Sequence, residues 1–277
     1  PTRVDLAGGT LDLWPLYCVT ESAKTINLAL DLFAEASFEY QSASRFSFTA
    51  TGPSGATHTL EEPLAIAECR KLEPSIRFPV AVISSYLATR KDLPTVEIRL
   101  SWKTQVPMGS GLGGSSTLGV ALLRGISQIF GDYAKSGWQW NLLTAIRDTE
   151  AAFLETPTGT QDYLAALFGG LSCFHSRMGR IDHATYRASA FEGLSERALV
   201  LFSGEQHHSG RSNWEVYKGA IEKDPTVVRG LFELKEIAEK VDNELRAPET
   251  DWRKIGALLS EEWKQRKNLF GVSTPKL

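Results

Sequence analysis

The chain has 277 residues, enough for one large or two ordinary domains with a substantial core. Its 30 basic and 33 acidic residues give a net charge of −3, and no basic block or basic aromatic stripe appears, so no nucleic-acid partner is expected. No apolar run approaches the ~18 residues of a membrane helix and no signal-peptide pattern is visible, so no membrane partner is expected. Three scattered cysteines argue against a disulfide framework and a zinc site and favour a reducing cytoplasm: Cys18, Cys69 and Cys173.

The first third of the chain is rich in strand patterns. Arg3–Leu13 begins as a strand and breaks at Gly8-Gly9, a pattern that suits either a substrate loop or an ordinary tight turn. The elements predicted next are the strand-rich stretch Thr25–Tyr40, the strands Arg45–Ala50 and Thr57–Leu60, the helix Phe78–Arg90 and the half-buried strand Val96–Trp102.

A glycine-rich turn, Val106–Thr117, follows that last strand and precedes an apolar run typical of a helix. Four of six consecutive positions are glycine, which allows turns that a side chain would block: Gly109, Gly111, Gly113 and Gly114. Hydroxyls then stand at cap-like positions where the helix would begin: Ser115, Ser116 and Thr117. The free N–H groups and the positive end of the helix predict a phosphate-binding turn.

Other interpretations of this turn are open. It could be an ordinary Gly/Ser turn. Gly109, Gly111 and Gly114 also satisfy the dinucleotide pattern G-x-G-x-x-G, but the acid near the expected distance, Asp132, follows the same helix instead of a second strand. The Walker phosphate loop requires a lysine that is missing here.

Two acidic residues stand out in the second half of the chain. A helix is predicted over Trp138–Leu154, and Glu150 lies off its apolar stripe, where a lone glutamate is ordinarily solvated. Asp162 follows a turn and falls in the first turn of a helix that continues over Tyr163–Phe168. The helix dipole favours a carboxylate at that position, although a simple helix cap is the ordinary alternative.

The remaining chain carries weaker signals. Strands are predicted over Leu171–His175 and Ala198–Ser203. The polar loop Gly204–Asn213 either contacts substrate or phosphate, through Ser209 or Arg211, or is a surface loop. Its adjacent histidines, which would point apart, argue against a metal there: His207 and His208. Helices are predicted from Asn213 onward.

Three separated segments resemble the motifs of the GHMP kinases (galactokinase, homoserine kinase, mevalonate kinase, phosphomevalonate kinase). Pro107–Ser116 resembles the family's Pro-x-x-x-Gly-Leu-Gly-Ser-Ser-Ala/Ser, with Gly114 in place of the first serine. Arg3-Val4, Gly8-Gly9 and Asp12 resemble the first motif of the sugar kinases. Gly159–Asp162 followed by Gly169-Gly170 resembles the heptose-phosphate kinase branch.

The resemblance implies an α+β fold of two lobes with the active site between them. Residues 1–188 would form an N-terminal lobe like ribosomal protein S5 domain 2, and residues 189–277 a ferredoxin-like lobe. The family's third glycine-rich motif is absent before Leu277, and the chain opens on Pro1 without a methionine. We therefore expect either that the chain continues beyond these ends or that the protein is a defective relative.

The resemblance also implies a role for each site residue. The catalytic pair would be Asp162 and Arg3, and the Mg²⁺ ligands would be Ser115 and Glu150. The ATP-binding residues would be Pro107, Gly109, Ser110, Gly111, Leu112, Gly113, Gly114, Ser115 and Ser116. The substrate-binding residues would be Gly9, Thr10 and Asp12, whose acceptor oxygens suit a polyol.

The expected activity is an ATP- and Mg²⁺-dependent kinase of carbohydrate metabolism that acts on a small-molecule sugar or sugar phosphate. Thr10 and Asp12 favour a sugar over a mevalonate-type substrate. A catalytically silent sensor of the same fold is the alternative from another class, and the presence of Asp162 and Glu150 favours the enzyme. A homodimer is compatible with the sequence, which does not give the oligomeric state.

Overall fold

The computed structural model describes residues 1–107, 109–201 and 209–270, and the chain forms two compact units built from interleaved segments. The first unit contains Pro1–Asp31, Gly109–Leu112 and Gly159–Leu277. The second contains Leu32–Met108 and Gly113–Thr158. The lobe boundary predicted between residues 188 and 189 stays a prediction.

The chain contains both strands and helices, and its last four elements are helices. In order, the strands are β1 (Arg3–Ala7), β2 (Ala23–Ala29), β3 (Ala34–Ser42), β4 (Ser47–Thr51), β5 (Thr57–Leu60), β6 (Val96–Thr104), β7 (Leu171–Arg177) and β8 (Arg180–Thr185). The α-helices are α1 (Leu16–Val19), α2 (Ile66–Cys69), α3 (Arg77–Ala88), α4 (Gly114–Ile129), α5 (Trp138–Leu154), α6 (Gln161–Phe168), α7 (Ala188–Ser195), α8 (Ser209–Ile221), α9 (Pro225–Arg246) and α10 (Trp252–Phe270).

The first unit is built on an antiparallel sheet in the order β1-β2-β7-β8. One face of this sheet is buried against α9 and α10. The apolar cluster includes Ile26 and Leu28 of β2, Leu171 of β7, Ile237 of α9 and Leu258 of α10. A second apolar cluster joins the segment after β1 to α8 and α9. The sheet and these helices therefore support both β1 and the turn that follows it.

The second unit has a mixed sheet in the order β3-β6-β4-β5, in which β4 runs parallel to β6 and the other pairs are antiparallel. Ile98, Leu100 and Trp102 on β6 are buried and alternate with exposed residues, as the period-two pattern predicts. Helices α2 to α5 belong to this unit. The unit supplies the helix that follows the glycine turn and the helix that carries Glu150.

Most elements with a strong periodic pattern are confirmed. The predicted helix Trp138–Leu154 has the same bounds in the structure, and the predicted helix Phe78–Arg90 corresponds to α3. The strand Val96–Trp102 and the glycine turn lead into α4, as the strand–turn–helix order predicts. The helix predicted around Tyr163 is also present.

The strand predicted over Ala198–Ser203 is wrong for its described part, residues 198–201, which form no strand. Leu199 and Leu201 are 88% and 87% exposed. A short apolar run is an ambiguous strand signal, and β7 already pairs with β2 on one side and with β8 on the other. The strand β8, which follows the turn at Gly179, was not predicted.

Part of the predicted polar loop Gly204–Asn213 lies outside the described residues, including His207 and His208. Its later residues, from Ser209, form the beginning of α8, so this part is helical. Within residues 1–107, 109–201 and 209–270, no helix combines the length and apolar character needed to cross a membrane.

Candidate active site

Arg3, at the start of β1, contacts the first part of the glycine turn. Its backbone N–H donates to the carbonyl of Leu112 (3.2 Å), and its side-chain Nη1 donates to the carbonyl of Gly111 (2.7 Å). Gly109 and Gly111 have φ angles of +74° and +76°, a region that glycine enters without strain. Segments that lie more than a hundred residues apart in the chain, the first motif and the glycine turn, are thus in direct contact within the first unit.

The second part of the glycine turn begins α4. Gly113 has a φ of +70° and precedes the helix, whose first residue is Gly114. Ser115 and Ser116 therefore lie inside the first helical turn, and no side chain caps the helix, so the predicted cap-like positions are wrong. Gly113, in the left-handed conformation, occupies the N-cap position instead. The first N–H groups of α4 have no acceptor within the helix, which is the arrangement that binds phosphate.

Glu150, on α5, is buried with 3% of its surface exposed, contrary to the ordinary expectation for a lone glutamate. Ser115 Oγ donates to Oε1 and Ser116 Oγ donates to Oε2, each at 2.8 Å. Two hydroxyl donors satisfy the carboxylate and explain its burial. Ser115 is exposed whereas Ser116 is buried, so the two hydroxyls differ in their access to solvent.

The donor set of Ser115 and Glu150 fits a magnesium ion, because both supply hard oxygen ligands and lie within hydrogen-bond distance of each other. Mg²⁺ is usually bound by one or two protein carboxylates, with water and phosphate oxygens completing its shell. Across the part of the chain that is described, no group of three or more His, Cys, Asp or Glu side chains could hold a metal ion. These residues therefore fit Mg²⁺ that arrives with a phosphate ligand.

Asp162 lies in the first turn of α6, as predicted. Arg3 Nε is 2.7 Å and Nη2 is 2.5 Å from the same oxygen, Oδ1, so Oδ2 is left outside this ion pair. Burial acts to lower the pKa of Arg3, but the charge of Asp162, with smaller contributions from Asp5 and Asp12, raises it above its usual value. A permanent cation therefore lies beside a carboxylate that is 24% exposed.

Asp12 connects the first motif to the helix that carries Asp162. Its Oδ2 accepts hydrogen bonds from the backbone N–H groups of Thr160 and Gln161, at the N-terminus of α6. A Cβ at Gly159 would lie 2.1 Å from Oδ2, so this approach requires glycine. Desolvation raises the pKa of Asp12 to about 6, although the two backbone bonds act to lower it.

Thr10 has a φ of +74°, a conformation that is rare for a β-branched residue. Its Oγ1 donates to Asn213 Oδ1 on α8 at 3.2 Å. The neighbouring Leu11 and Leu13 are buried in the apolar cluster shared with α8 and α9. The buried residues immediately before and after Asp12 therefore hold this segment of the chain in place.

Two charged residues of α10 that contact the Gly8-Gly9 turn were not predicted. Glu262 Oε1 accepts from the N–H of Gly8 at 2.9 Å, and Arg266 Nη2 donates to the carbonyl of Gly9 at 3.2 Å. Their only signal in the sequence is a four-residue spacing of opposite charges, which is typical of solvated helix surfaces. Asn213 was likewise missed.

Two further residues of the glycine turn, Pro107 and Ser110, are also predicted to contact the nucleotide. Pro107 is exposed and precedes Met108, which lies outside the described residues. Ser110 Oγ accepts from the N–H of Leu112 at 3.4 Å and so contributes to the local shape of the turn.

Asp132, which the dinucleotide alternative requires as a ribose ligand, is occupied by neighbouring side chains. It accepts from Tyr86 Oη at 2.6 Å and pairs with Lys135 at 2.5 Å. Asp132 also lies in a short 3₁₀ helix after α4, whereas the dinucleotide pattern requires an acid at the end of a second strand. These contacts disfavour the dinucleotide interpretation of the glycine turn.

Comparison with known proteins assigns a family to the region around these residues. Residues 78–170 match the family model described as the GHMP kinases N terminal domain. That span includes the glycine turn, Glu150 and Asp162.

Two curated relatives are similar over almost the whole chain. A bifunctional fucokinase/GDP-fucose pyrophosphorylase from Arabidopsis thaliana is 24% identical over 280 residues, which cover 97% of this chain and 26% of the relative. A D-glycero-alpha-D-manno-heptose 7-phosphate kinase from Campylobacter jejuni is 22% identical over 275 residues, covering 96% of this chain and 76% of the relative. The chain thus spans about a quarter of the length of the Arabidopsis protein.

The fold is also that of a solved kinase. The crystal structure of a D-glycero-D-manno-heptose 1-phosphate kinase from Bacteroides thetaiotaomicron superposes with a TM-score of 0.70 at 18% identity. The match covers 97% of this chain and 78% of the other. The α+β fold of this chain is therefore a GHMP kinase fold.

Proposed function

Because this chain belongs to the GHMP kinase superfamily, we propose that it transfers the γ-phosphoryl group of ATP to a hydroxyl of a sugar or sugar phosphate. The observation that carries this proposal is the double contact of Arg3. The guanidinium binds the carboxylate of Asp162 and the carbonyl of Gly111 at once. Arg3 thereby holds the carboxylate of Asp162, which can accept a proton, next to the part of the glycine turn that contains Gly111.

The glycine turn is proposed to bind the phosphates of ATP through its backbone. The positive φ angles of Gly109, Gly111 and Gly113 turn successive peptide groups, and such turns form concave anion sites. The first N–H groups of α4 add donors and the positive end of the helix dipole. The other turn residues proposed to line the nucleotide are Pro107, Ser110, Leu112, Gly114, Ser115 and Ser116.

Ser115 and Glu150 are proposed to hold Mg²⁺. The exposed hydroxyl of Ser115 can exchange its bond to Glu150 for a cation, whereas the buried Ser116 keeps the carboxylate in place. The ion would neutralise phosphate charge when it is bound with ATP.

Asp162 is proposed to accept the proton of the attacking hydroxyl. The acceptor oxygen forms a bond to the γ-phosphorus, the bond from that phosphorus to the β,γ-bridging oxygen breaks, and ADP leaves with its electron pair. The proton passes to Oδ2 of Asp162, the oxygen that Arg3 does not bind. Arg3 keeps the carboxylate oriented and offsets negative charge that develops in the transition state.

The acceptor is proposed to be a sugar, and Gly9, Thr10 and Asp12 are its proposed contacts. Asp12 and Asp162 lie at the N-terminus of the same helix, because Asp12 accepts from the backbone of Thr160 and Gln161. Polar groups at these positions suit a polyhydroxylated acceptor. The curated relatives, a fucokinase and a heptose 7-phosphate kinase, support this substrate class.

A mass-shift screen tests the proposal. The purified chain is incubated with ATP and Mg²⁺ and a panel of hexoses, heptoses, their phosphates and mevalonate. We expect one sugar or sugar phosphate to gain the mass of a phosphoryl group, and Asp162→Asn to produce no such gain. Phosphorylation of mevalonate alone would overturn the substrate class. ATP binding without any product across the panel would instead favour the sensor.

A further inference from the structure

A buried charged cluster lies beneath the Gly8-Gly9 turn. Arg266 on α10 is 2.7 Å from Asp5 Oδ2 on β1 and 2.9 Å from Glu262 Oε1 on its own helix. The Glu262 side chain is only 4% exposed. The cluster therefore ties the strand that carries the first motif to a helix near the other end of the chain.

The cluster also binds the backbone of the turn itself. Glu262 Oε1 accepts from the N–H of Gly8 (2.9 Å), and Arg266 Nη2 donates to the carbonyl of Gly9 (3.2 Å). A Cβ at Gly9 would lie 1.8 Å from Asp5 Oδ2, so the turn is pressed against the cluster and requires glycine. The turn and the cluster are consequently one packed structure.

The next residue carries backbone strain. Thr10 has a φ of +74°, a region that a β-branched residue enters only with strain. Such a conformation persists only where the surroundings over-determine it. Here the bonds to Gly8 and Gly9 fix the backbone before Thr10, and buried Leu11 fixes it afterwards.

A contribution to the free energy of unfolding does not explain why charged residues occupy this buried position. Among the described residues, Asp5 Oδ1 and Glu262 Oε2 are buried without a hydrogen-bond partner. Desolvation raises the pKa of Glu262 above its usual value even against the opposing charge of Arg266, which indicates that burial of this carboxylate is costly. Buried ion pairs often contribute little net stability, and well-packed apolar residues can replace them. The charged groups of the cluster are better explained by their contacts with the turn, whose conformation they hold, than by a contribution to folding stability.

We propose that Glu262 and Arg266 are positioning residues that hold Gly9, Thr10 and Asp12 in the conformation that binds the acceptor substrate. This inference rests on the proposed function, since it assigns the acceptor to those residues. The contacts of the cluster described above run to Asp5, Gly8 and Gly9, which belong to the first motif and not to the glycine turn proposed to bind ATP. Its loss should therefore affect recognition of the acceptor and leave recognition of ATP intact.

The variant Glu262→Gln tests this proposal, because it keeps the shape of the side chain and removes the charge that Arg266 binds. Glu261→Gln is the matched control, since Glu261 is exposed on the same helix. We expect Glu262→Gln to raise the KM for the acceptor about fivefold, the usual difference between charged and neutral hydrogen bonds. The KM for ATP should stay unchanged in both variants. An equal rise in both KM values, or none, overturns the proposal.

Hydrogen exchange separates failure of this inference from failure of the proposed function, because it needs no turnover. We expect deuterium uptake in residues 5–13 to increase in Glu262→Gln and not in Glu261→Gln, with uptake across α5 unchanged in both. Arg266→Lys should give a smaller increase, because a lysine keeps the charge but cannot bind all three partners. Unchanged uptake in Glu262→Gln refutes the cluster's hold on the turn, whether or not the protein phosphorylates any sugar. Faster exchange with a normal acceptor KM refutes the positioning role.

Discussion

Arg3 binds one oxygen of Asp162 with two of its nitrogens, Nε and Nη2, across 159 positions of the chain. The contact orients the carboxylate and leaves its other oxygen outside the ion pair. The same guanidinium donates to the carbonyl of Gly111. One side chain therefore links the acid proposed to accept the proton to the turn proposed to bind phosphate.

Asp162→Asn should abolish most turnover while leaving ATP binding nearly intact. An amide accepts no proton from the attacking hydroxyl, and loss of a general base typically lowers the rate by about 10²–10⁴-fold. The measurements are kcat by product mass and ATP affinity by calorimetry. Asp148→Asn, which changes an exposed aspartate, is the control. Loss of ATP binding in Asp162→Asn would show that this residue has a different role.

Arg3→Lys should lower kcat by about 10–100-fold with little change in either KM. A lysine keeps the charge but cannot bind Asp162 and the carbonyl of Gly111 together in a fixed plane. Steady-state kinetics of this variant are compared with those of Arg45→Lys, which alters an exposed ion pair. Normal turnover in Arg3→Lys would mean that charge alone suffices at this position.

The local elements of the site were accessible from the sequence because their signals are local. The apolar period of α5 and the alternation of β6 each repeat within one segment, and the glycines of the turn mark positive φ angles directly. The first-turn position of Asp162 follows from the boundary of α6 alone. The strand expected over Ala198–Ser203 shows the limit of this approach, since pairing depends on which sheet edge is open.

Contacts between distant segments were not accessible in the same way. The burial of Glu150 depends on hydroxyls 34 and 35 residues away, and nothing in its own helix indicates them. Glu262 and Arg266 resemble a surface pair until β1 is placed against α10. Only the family resemblance suggested that Arg3 and Asp162 belong to one site, because no spacing rule connects residues so far apart.

Ser115→Ala and Ser116→Ala should differ although both hydroxyls donate to Glu150. Ser115 is exposed and is the proposed magnesium ligand, so its loss should raise the Mg²⁺ concentration needed for half-maximal activity. Ser116 is buried, and its loss should mainly lower the free energy of unfolding, by about 1 kcal/mol for one hydrogen bond. Activity is titrated with Mg²⁺ at fixed ATP, and unfolding is followed in urea. Identical magnesium curves for the two variants would contradict the role given to Ser115.

Asp12 should make stability depend on pH in the acidic range. Desolvation raises its pKa from 3.8 to about 6 in the folded chain, whereas in the unfolded chain the carboxyl titrates normally. Between those values the folded state binds more protons, so the free energy of unfolding falls as pH rises. The fall approaches ~3 kcal/mol once the pH exceeds the folded value, from a shift of about two units.

Asp12→Asn should remove this pH dependence, because an amide does not titrate and its oxygen can still accept from the N–H of Thr160 or Gln161. Urea unfolding of both proteins at pH 4, 5, 6 and 7 measures the difference. We expect the stability of the variant relative to the parent to increase with pH and to level off above about pH 6. Asp31→Asn, at an exposed aspartate, serves as the control and should give no such trend. Parallel pH curves for Asp12→Asn and the parent would mean that Asp12 is solvated in the folded protein, which would remove the link between the first motif and α6.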